Sequence, residues 1–214
     1  MTTPPLPPMA ASPPTPPARA LPMADSGRQE RADAARNRIR LLEAASRLVA
    51  EQGAEHVTME AVAAAASVGK GTVFRRFGDR VGLMFALLDH AERAHQEAFL
   101  SGPAPLGPGA PAVERLEAFG VATLRHLTRY IDLYLAAEDC PTRRYTAPAR
   151  AVRLTHVAVL LRESGVTGDV ELLAEALLGY LDTALVNYLR NERRLPAERL
   201  EAGWRDLVAR VTRP

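Results

Sequence analysis

The sequence predicts an all-α protein, with a short three-helix head at the N-terminal side and a larger helical bundle after it. Three observations carry this. Of the 214 residues 47% are apolar but only 5% aromatic, so the core must be built from leucine and alanine, as in helix-on-helix packing. Apolar residues recur at three- and four-residue steps along most of the chain, the period of one helix face. Glycine and proline are gathered into a few stretches, where they punctuate long periodic segments instead of closing short alternating strands.

Residues 1–27 hold nine of the seventeen prolines, spaced by Ala, Ser and Thr. No core can be made from that composition, and the segment reads as a disordered or polyproline-like leader. Residues 28–53 read as an amphipathic helix: Ile39, Leu42, Ala45 and Val49 fall on one stripe, and Gly53 is a natural stop. The net charge is only +2, but Arg28, Arg31, Arg36, Arg38 and Arg40 crowd this helix's start against Glu30 and Asp33. Lys70 is the single lysine among 27 basic residues, so arginine abundance by itself does not indicate nucleic acid.

Residues 57–78 organise the rest. Thr58 is a good N-cap, and Val57 before it can pack on Val62 as a hydrophobic staple. Met59–Ala66 is helix-prone and made of small side chains, which permits a close helix crossing. Ser67-Val68-Gly69 breaks it, and Lys70–Phe77 resumes with Val73 and Phe77 on one face. The other face carries Lys70, Thr72, Phe74, Arg75 and Arg76, a set of donors, a methyl-bearing hydroxyl and a ring that suits a DNA major groove.

After Asp79, a possible N-cap, a long helix to about Leu100 carries Leu83, Leu87, Ala91 and Ala94 on its stripe. Residues 101–111 are a Gly/Pro breaker. A helix over about 112–137 follows, then an irregular stretch at 142–149 and a helix over about 150–163 stopped by Gly165. The last two helices, about 169–192 and 197–212, are the most apolar. The first is apolar on more than half its circumference and needs partners on two sides; Leu200, Trp204 and Val208 face inward on the second. Two copies of this pair would close a four-helix interface on a two-fold axis, giving a homodimer.

The order Val-Ala-x-x-Ala-x-Val-x-x-Gly-Thr-hydrophobic-aromatic-x-x-Phe, within residues 36–88, resembles the DNA-binding signature of the TetR family of transcriptional repressors. The chain departs from that pattern at Ser67, where the family has Gly; at Gly69, where it has Ser or Thr; at Phe74, where it has Tyr; and at Arg80, where it has Lys. After the leader (1–27) that composition indicates, the resemblance implies a helix-turn-helix head (28–78) and a ligand-binding and dimerisation domain (79–214). It implies a palindromic double-stranded operator and a small-molecule inducer held between helices of the second domain.

On this reading Thr72, Phe74 and Arg75, with Gly71 beside them, meet bases or the groove floor. Thr58, Lys70, Arg76 and Arg80 hold phosphates, and Arg36 and Arg38 add sequence-independent attraction. His126, Tyr130, Tyr134, His156, Tyr180 and Asn187 are polar groups on otherwise apolar stripes, where an inducer could be oriented. No cofactor is expected. Glycine-rich phosphate loops, nucleophile elbows, His-Glu-x-x-His and cysteine pairs do not occur in the sequence, which argues against an enzyme. Glu138-Asp139-Cys140 with His126 or His156 is a poor metal set, and the lone Cys140 excludes an intramolecular disulfide. With no uninterrupted apolar run near twenty residues and no signal peptide, a cytoplasmic protein is expected. A helical adaptor that kept the fold without reading DNA is the competing reading, and the departures at Ser67, Gly69 and Phe74 leave room for it.

Overall fold

The computed structural model describes residues 26–137 and 148–213, and every regular element among them is helical. Helix α1 is Ser26–Gln52, followed by a 3-10 turn at Ala54–His56. Then come α2 (Met59–Ala65), α3 (Lys70–Phe77), α4 (Arg80–Ser101), α5 (Ala112–Ala137), α6 (Pro148–Glu163), α7 (Val170–Tyr180), α8 (Thr183–Asn187) and α9 (Ala197–Val211). A π-type segment, Tyr188–Glu192, continues α8. The proline-rich leader to residue 25 and the Glu138-Asp139-Cys140 stretch lie outside the described residues. The chain divides into two compact units after Asn37. The first contributes the opening turns of α1, exposed or half-buried; everything from Arg38 onward belongs to the second.

The helix ends follow the side chains that can satisfy them. Thr58 Oγ1 accepts from the amide of Ala61 at 3.1 Å, and Asp79 Oδ1 from that of Gly82 at 2.8 Å. At the end of α2, Ser67 takes a left-handed conformation (φ 55). The amide of Val68 then reaches the carbonyl of Ala63 at 2.9 Å and that of Ser67 the carbonyl of Ala64 at 3.1 Å. This is a Schellman ending with serine where glycine is ordinarily found, at a cost of about 1–2 kcal/mol for the side chain.

Two hydrophobic cores result. The first joins Leu41, Ala45 and Val49 of α1 to Val57, Val62 and Val73, to Leu83 and Leu87 of α4, and to Tyr130 and Leu133 of α5. The second joins Phe99 of α4 to Leu116, Phe119 and Leu127 of α5, Leu160 and Leu161 of α6, Leu177 of α7 and Trp204 of α9. Tyr134 packs against both. Helices α4 and α5 therefore run through both cores and tie the head to the bundle. The α4 stripe turns out to include His95 and Phe99 and to leave Ala94 exposed, because a 3.6-residue period drifts over six turns.

Helix α9 lies against α5, where Gly120 makes the approach possible. A Cβ at Gly120 would lie 1.8 Å from the Trp204 ring. The fully buried indole donates from Nε1 to the carbonyls of Leu116 at 3.1 Å and Glu117 at 3.2 Å.

The expected single helix over 169–192 is corrected by the structure. It breaks after Tyr180, and Asp182 starts α8 by accepting at Oδ1 from the amides of Ala184 (2.9 Å) and Leu185 (3.2 Å). An aspartate inside an apolar run is a cap waiting for a break, a signal that the stripe pattern hides. Val170–Glu192 has a mean hydropathy of 1.2 over a membrane-spanning length. Here it is bent, with Ala174, Leu177, Leu178, Leu181 and Val186 packed in the second core.

Gly120→Ala should destabilise the protein by at least about 1–3 kcal/mol, since the backbone and a buried indole must part. Chemical denaturation read by Trp204 fluorescence checks this, and an unchanged midpoint would contradict the contact.

Candidate nucleic-acid interface and a buried polar cluster

Helix α3 is fixed from behind and open in front. Val73 is fully buried against the first core, and Phe77 is half-buried beside it. Gly69 caps α3 in extended conformation (φ −68, ψ 142) without a side-chain bond. On the outer face Lys70, Gly71, Phe74, Arg75 and Arg76 are exposed and Thr72 is half-exposed. A Cβ added at Gly71 would meet nothing within 4 Å. A glycine inside a helix costs about 1 kcal/mol relative to alanine, and nothing in the packing of the described residues requires one there.

Several of the basic residues have structural work as well. Lys70 ion-pairs with Glu60 of α2, and its ammonium lies 5.4 Å from the centre of the Phe74 ring. Arg38 stacks at 5.4 Å over Phe77, and Arg40 donates to the carbonyl of Ala66 at 3.1 Å, closing the end of α2. Arg36, in the first unit, pairs with Asp33 one turn earlier. Arg80 gives Nε to the carbonyl of Val57 at 2.9 Å. It also gives one terminal nitrogen to those of Ala54 at 2.7 Å and Glu55 at 3.2 Å. The sequence implies only a phosphate ligand at Arg80; in the structure its guanidinium clamps the 3-10 turn that leads into α2.

The polar residues singled out for a ligand do not all converge. His126, Tyr130 and Tyr134 of α5 lie together. His126 Nε2 stands 3.0 Å from Glu92 Oε1 and 2.7 Å from Tyr134 Oη; because the carboxylate accepts, that nitrogen carries the proton and shares it. Arg153 of α6 ion-pairs with the same Glu92 oxygen. His95 stacks on His126 with centres 4.7 Å apart, and its Nε2 is 3.0 Å from Thr123 Oγ1. His156 sits nearby between Phe99 (4.6 Å) and Phe119 (5.2 Å). Tyr180 and Asn187 are elsewhere: the Tyr180 hydroxyl donates to the carbonyl of Leu200 at 2.8 Å, and Asn187 Oδ1 accepts from Asn191 at 2.7 Å. Glu92, His95, Thr123 and Arg153 do not stand out in the sequence, where each sits at the edge of an apolar stripe. Among the described residues no group of acids, histidines and cysteines is placed to hold a metal ion.

Burial alone would raise Glu92, but the His126 hydrogen bond and the Arg153 charge hold its carboxyl below the ordinary value. Burial pushes His95 down to about 3, with the charges of His126 and Arg153 adding to it. His156 falls to about 4, through burial first and Arg115 second. These two imidazoles, His95 and His156, are therefore neutral at physiological pH.

Tyr130 faces the first core and is 5% exposed. Its backbone leaves helical geometry (φ −116, ψ 17), kinking α5, and its hydroxyl lies 2.6 Å from Ser46 Oγ of α1. The neighbouring Arg129 donates to the Ser46 carbonyl at 2.8 Å. One turn earlier on α5, Arg125 grips Glu201 of α9 in a fork, at 2.7 and 3.0 Å.

With this geometry in view, the comparisons with known proteins are consistent. Residues 41–87 match the family described as bacterial regulatory proteins, tetR family. The matched span runs from the buried part of α1 through α2 and α3 into α4, and over it the chain is similar to the TetR family of regulators. Solved structures of the same fold include a transcriptional regulator from Saccharomonospora viridis in complex with choline. It is 20% identical, with a TM-score of 0.61 over 82% of this chain and 96% of that one. A TetR-like regulator from Rhodococcus sp. RHA1 is 20% identical, with a TM-score of 0.53 over 81% and 94% of the two chains. The TetR-family regulator PfmR from Thermus thermophilus is 23% identical, with a TM-score of 0.52 over 81% and 99%. No curated protein matches at the level of sequence.

The two lowered histidines set a pH dependence. Their folded pKa values lie below the unfolded value of 6.5, so the unfolded chain takes up protons first as pH falls. The stability they contribute is full above about pH 6.5 and declines below it, by about 2 kcal/mol for each histidine at about pH 5. Thermal melts at about pH 7.5 and about pH 5 should show the loss, and His95→Gln should shrink it. Equal slopes for the two proteins would contradict the assignment.

Proposed function

We propose that this regulator is a cytoplasmic, dimeric, ligand-responsive repressor. It holds a palindromic operator through α3 and releases it when a small-molecule inducer binds among the C-terminal helices. The observation that carries this reading is the outer face of α3. Gly71 leaves a window that no described residue fills, and Thr72, Phe74 and Arg75 surround it. That surface admits a duplex backbone closely and offers a guanidinium, a hydroxyl and a ring to base edges. Thr58, Lys70 and Arg76 flank it as phosphate ligands, with Arg80 acting behind them by holding the turn. Arg38 and Arg36 add non-specific attraction. The loss of a hydroxyl at Phe74 removes one phosphate donor and leaves an apolar contact suited to a thymine methyl.

The inducer acts on the cluster of His126, Tyr134, Glu92 and Arg153. It touches both cores through Tyr134, and α4 and α5 connect those cores to the head. Rearranging it moves the head. A coupling of about 1–3 kcal/mol would lower operator affinity about 5–150-fold.

Pairing of subunits follows from what the fold leaves uncovered. The inner face of α9 is taken by α5 of the same chain. Large apolar side chains stand outward on Leu172 (66% exposed), Leu185 and Tyr188, with Val159 of α6. These side chains are the apolar surface on which a second copy would pack, and its placement there would set the distance between two α3 helices.

Arg75→Ala should cost about 1–3 kcal/mol on a specific site and little on random duplex, whereas Arg36→Ala should weaken both alike and flatten the salt dependence. Quantitative gel shifts with DNA flanking the coding sequence decide; equal losses on both duplexes for both variants would contradict these roles. Leu172→Glu combined with Tyr188→Glu should convert a dimer into monomers in analytical ultracentrifugation, and an unchanged sedimentation coefficient would remove the proposed interface.

A further inference from the structure

A groove of about 360 Å³ opens at the seam between α1, α4 and α5, away from the enclosed second core. Ser46 of α1, His90 of α4 and Arg125, His126, Arg129 and Tyr130 of α5 line it. Its volume falls in the lower part of the range of small-molecule sites. None of its lining residues is acidic. Arg125 already shares its charge with Glu201, so among the described residues the cation lining the groove with no carboxylate partner is Arg129, whose hydrogen bonds go to the neutral Ser46 carbonyl and hydroxyl. His90 and the Ser46 and Tyr130 hydroxyls are further polar groups on the walls.

One wall is aromatic. His126 and His95 are stacked nearly parallel, at 11°, and the Tyr130 ring adjoins His126 at 5.2 Å, tilted by 55°. Arg129 is exposed, and its guanidinium lies 5.5 Å over the Tyr130 ring, beside these rings. A cation at the rim, rings on one wall and no competing carboxylate in the lining select a small anion with a planar apolar body. A guanidinium and a carboxylate also match in geometry, two N–H groups to two oxygens.

We propose that this seam groove binds a small aromatic carboxylate, with Arg129 as the residue that recognises its charge. Bound there, the carboxylate draws Arg129 from Ser46 of α1 while the ring packs beside His126, and the hold of α5 on α1 through Arg129 is given up. The effect on DNA rests on the repressor reading above; the binding does not.

The test is isothermal titration calorimetry of the full chain in low-chloride buffer at neutral pH, with benzoate, inorganic phosphate and benzylammonium as separate probes. Benzoate should bind saturably, phosphate more weakly, and benzylammonium not at all. Arg129→Gln should weaken benzoate at least about tenfold, as expected for removal of a charge-assisted pair, with Arg129→Lys between the two. Arg162→Gln, an exposed change on α6, should leave binding as it is. Circular dichroism on each variant separates lost binding from lost folding. Benzylammonium or phosphate binding more tightly than benzoate, no binding of benzoate, or benzoate affinity unchanged in Arg129→Gln would each overturn the site.

Gel shifts run on the same samples keep the two readings apart. DNA bound without benzoate and released by it supports both. Benzoate binding with DNA affinity unmoved would overturn its role as an effector, and absence of DNA binding altogether would count against the repressor reading while the groove stands on the calorimetry.

Discussion

The packing of α2 against α3 is the constraint on which the functional surface depends. Val62 and Val73 are both fully buried, so the apolar side of α3 has only one place to go. The turn between the helices is closed by two backbone hydrogen bonds around a left-handed Ser67. Arg40 secures the end of α2 and Arg80 the turn before it, so the frame is tied at both ends by guanidinium groups on carbonyls. Helix α3 is only eight residues long and could not hold its shape alone. Its rigidity is borrowed from this frame, and the outward direction of Thr72 and Arg75 follows from it.

The bundle does more than follow the head. Tyr130 and Leu133 belong to α5 yet complete the head's core, and the hydrogen bond between Tyr130 and Ser46 puts a polar latch beside them. One turn further along α5 stands Tyr134, in contact with both cores. A shift of α5 is thus felt on both sides of the kink without any separate linkage. The buried cluster of Glu92, His126, Arg153 and Tyr134 is the polar counterpart of that arrangement. Buried charges of this kind are poor sources of net stability.

Much of the head was legible in the sequence, and for local reasons. Thr58 and Asp79 are side chains that cap only at helix starts, the Ser67-Val68-Gly69 break is short, and Val62 and Val73 have one plausible partner each. The breaker at 101–111 and the inward face of α9 were readable by the same rules. What was not legible depends on contacts distant in sequence. Nothing near Arg80 shows that it reaches back 23 residues to Val57, and nothing near Glu201 shows that Arg125 will meet it. Tyr130 reads as one more aromatic on a helix until the head is placed against it. Asp182 was hidden by the leucines around it. The ligand residues fared least well, since a polar group on an apolar stripe can be answered by its own chain, as Tyr180 is by Leu200.

The central claim is that α3 enters the major groove as one of a symmetric pair. Methylation protection of the DNA flanking the coding sequence tests this most directly, because guanine N7 lies in that groove. The account predicts protected guanines in two related clusters, centred about 34–36 Å or a little more apart along the helix, at salt concentrations where random duplex is not held. Protection confined to a single cluster, or none in the major groove while the protein still retards the fragment, would contradict it.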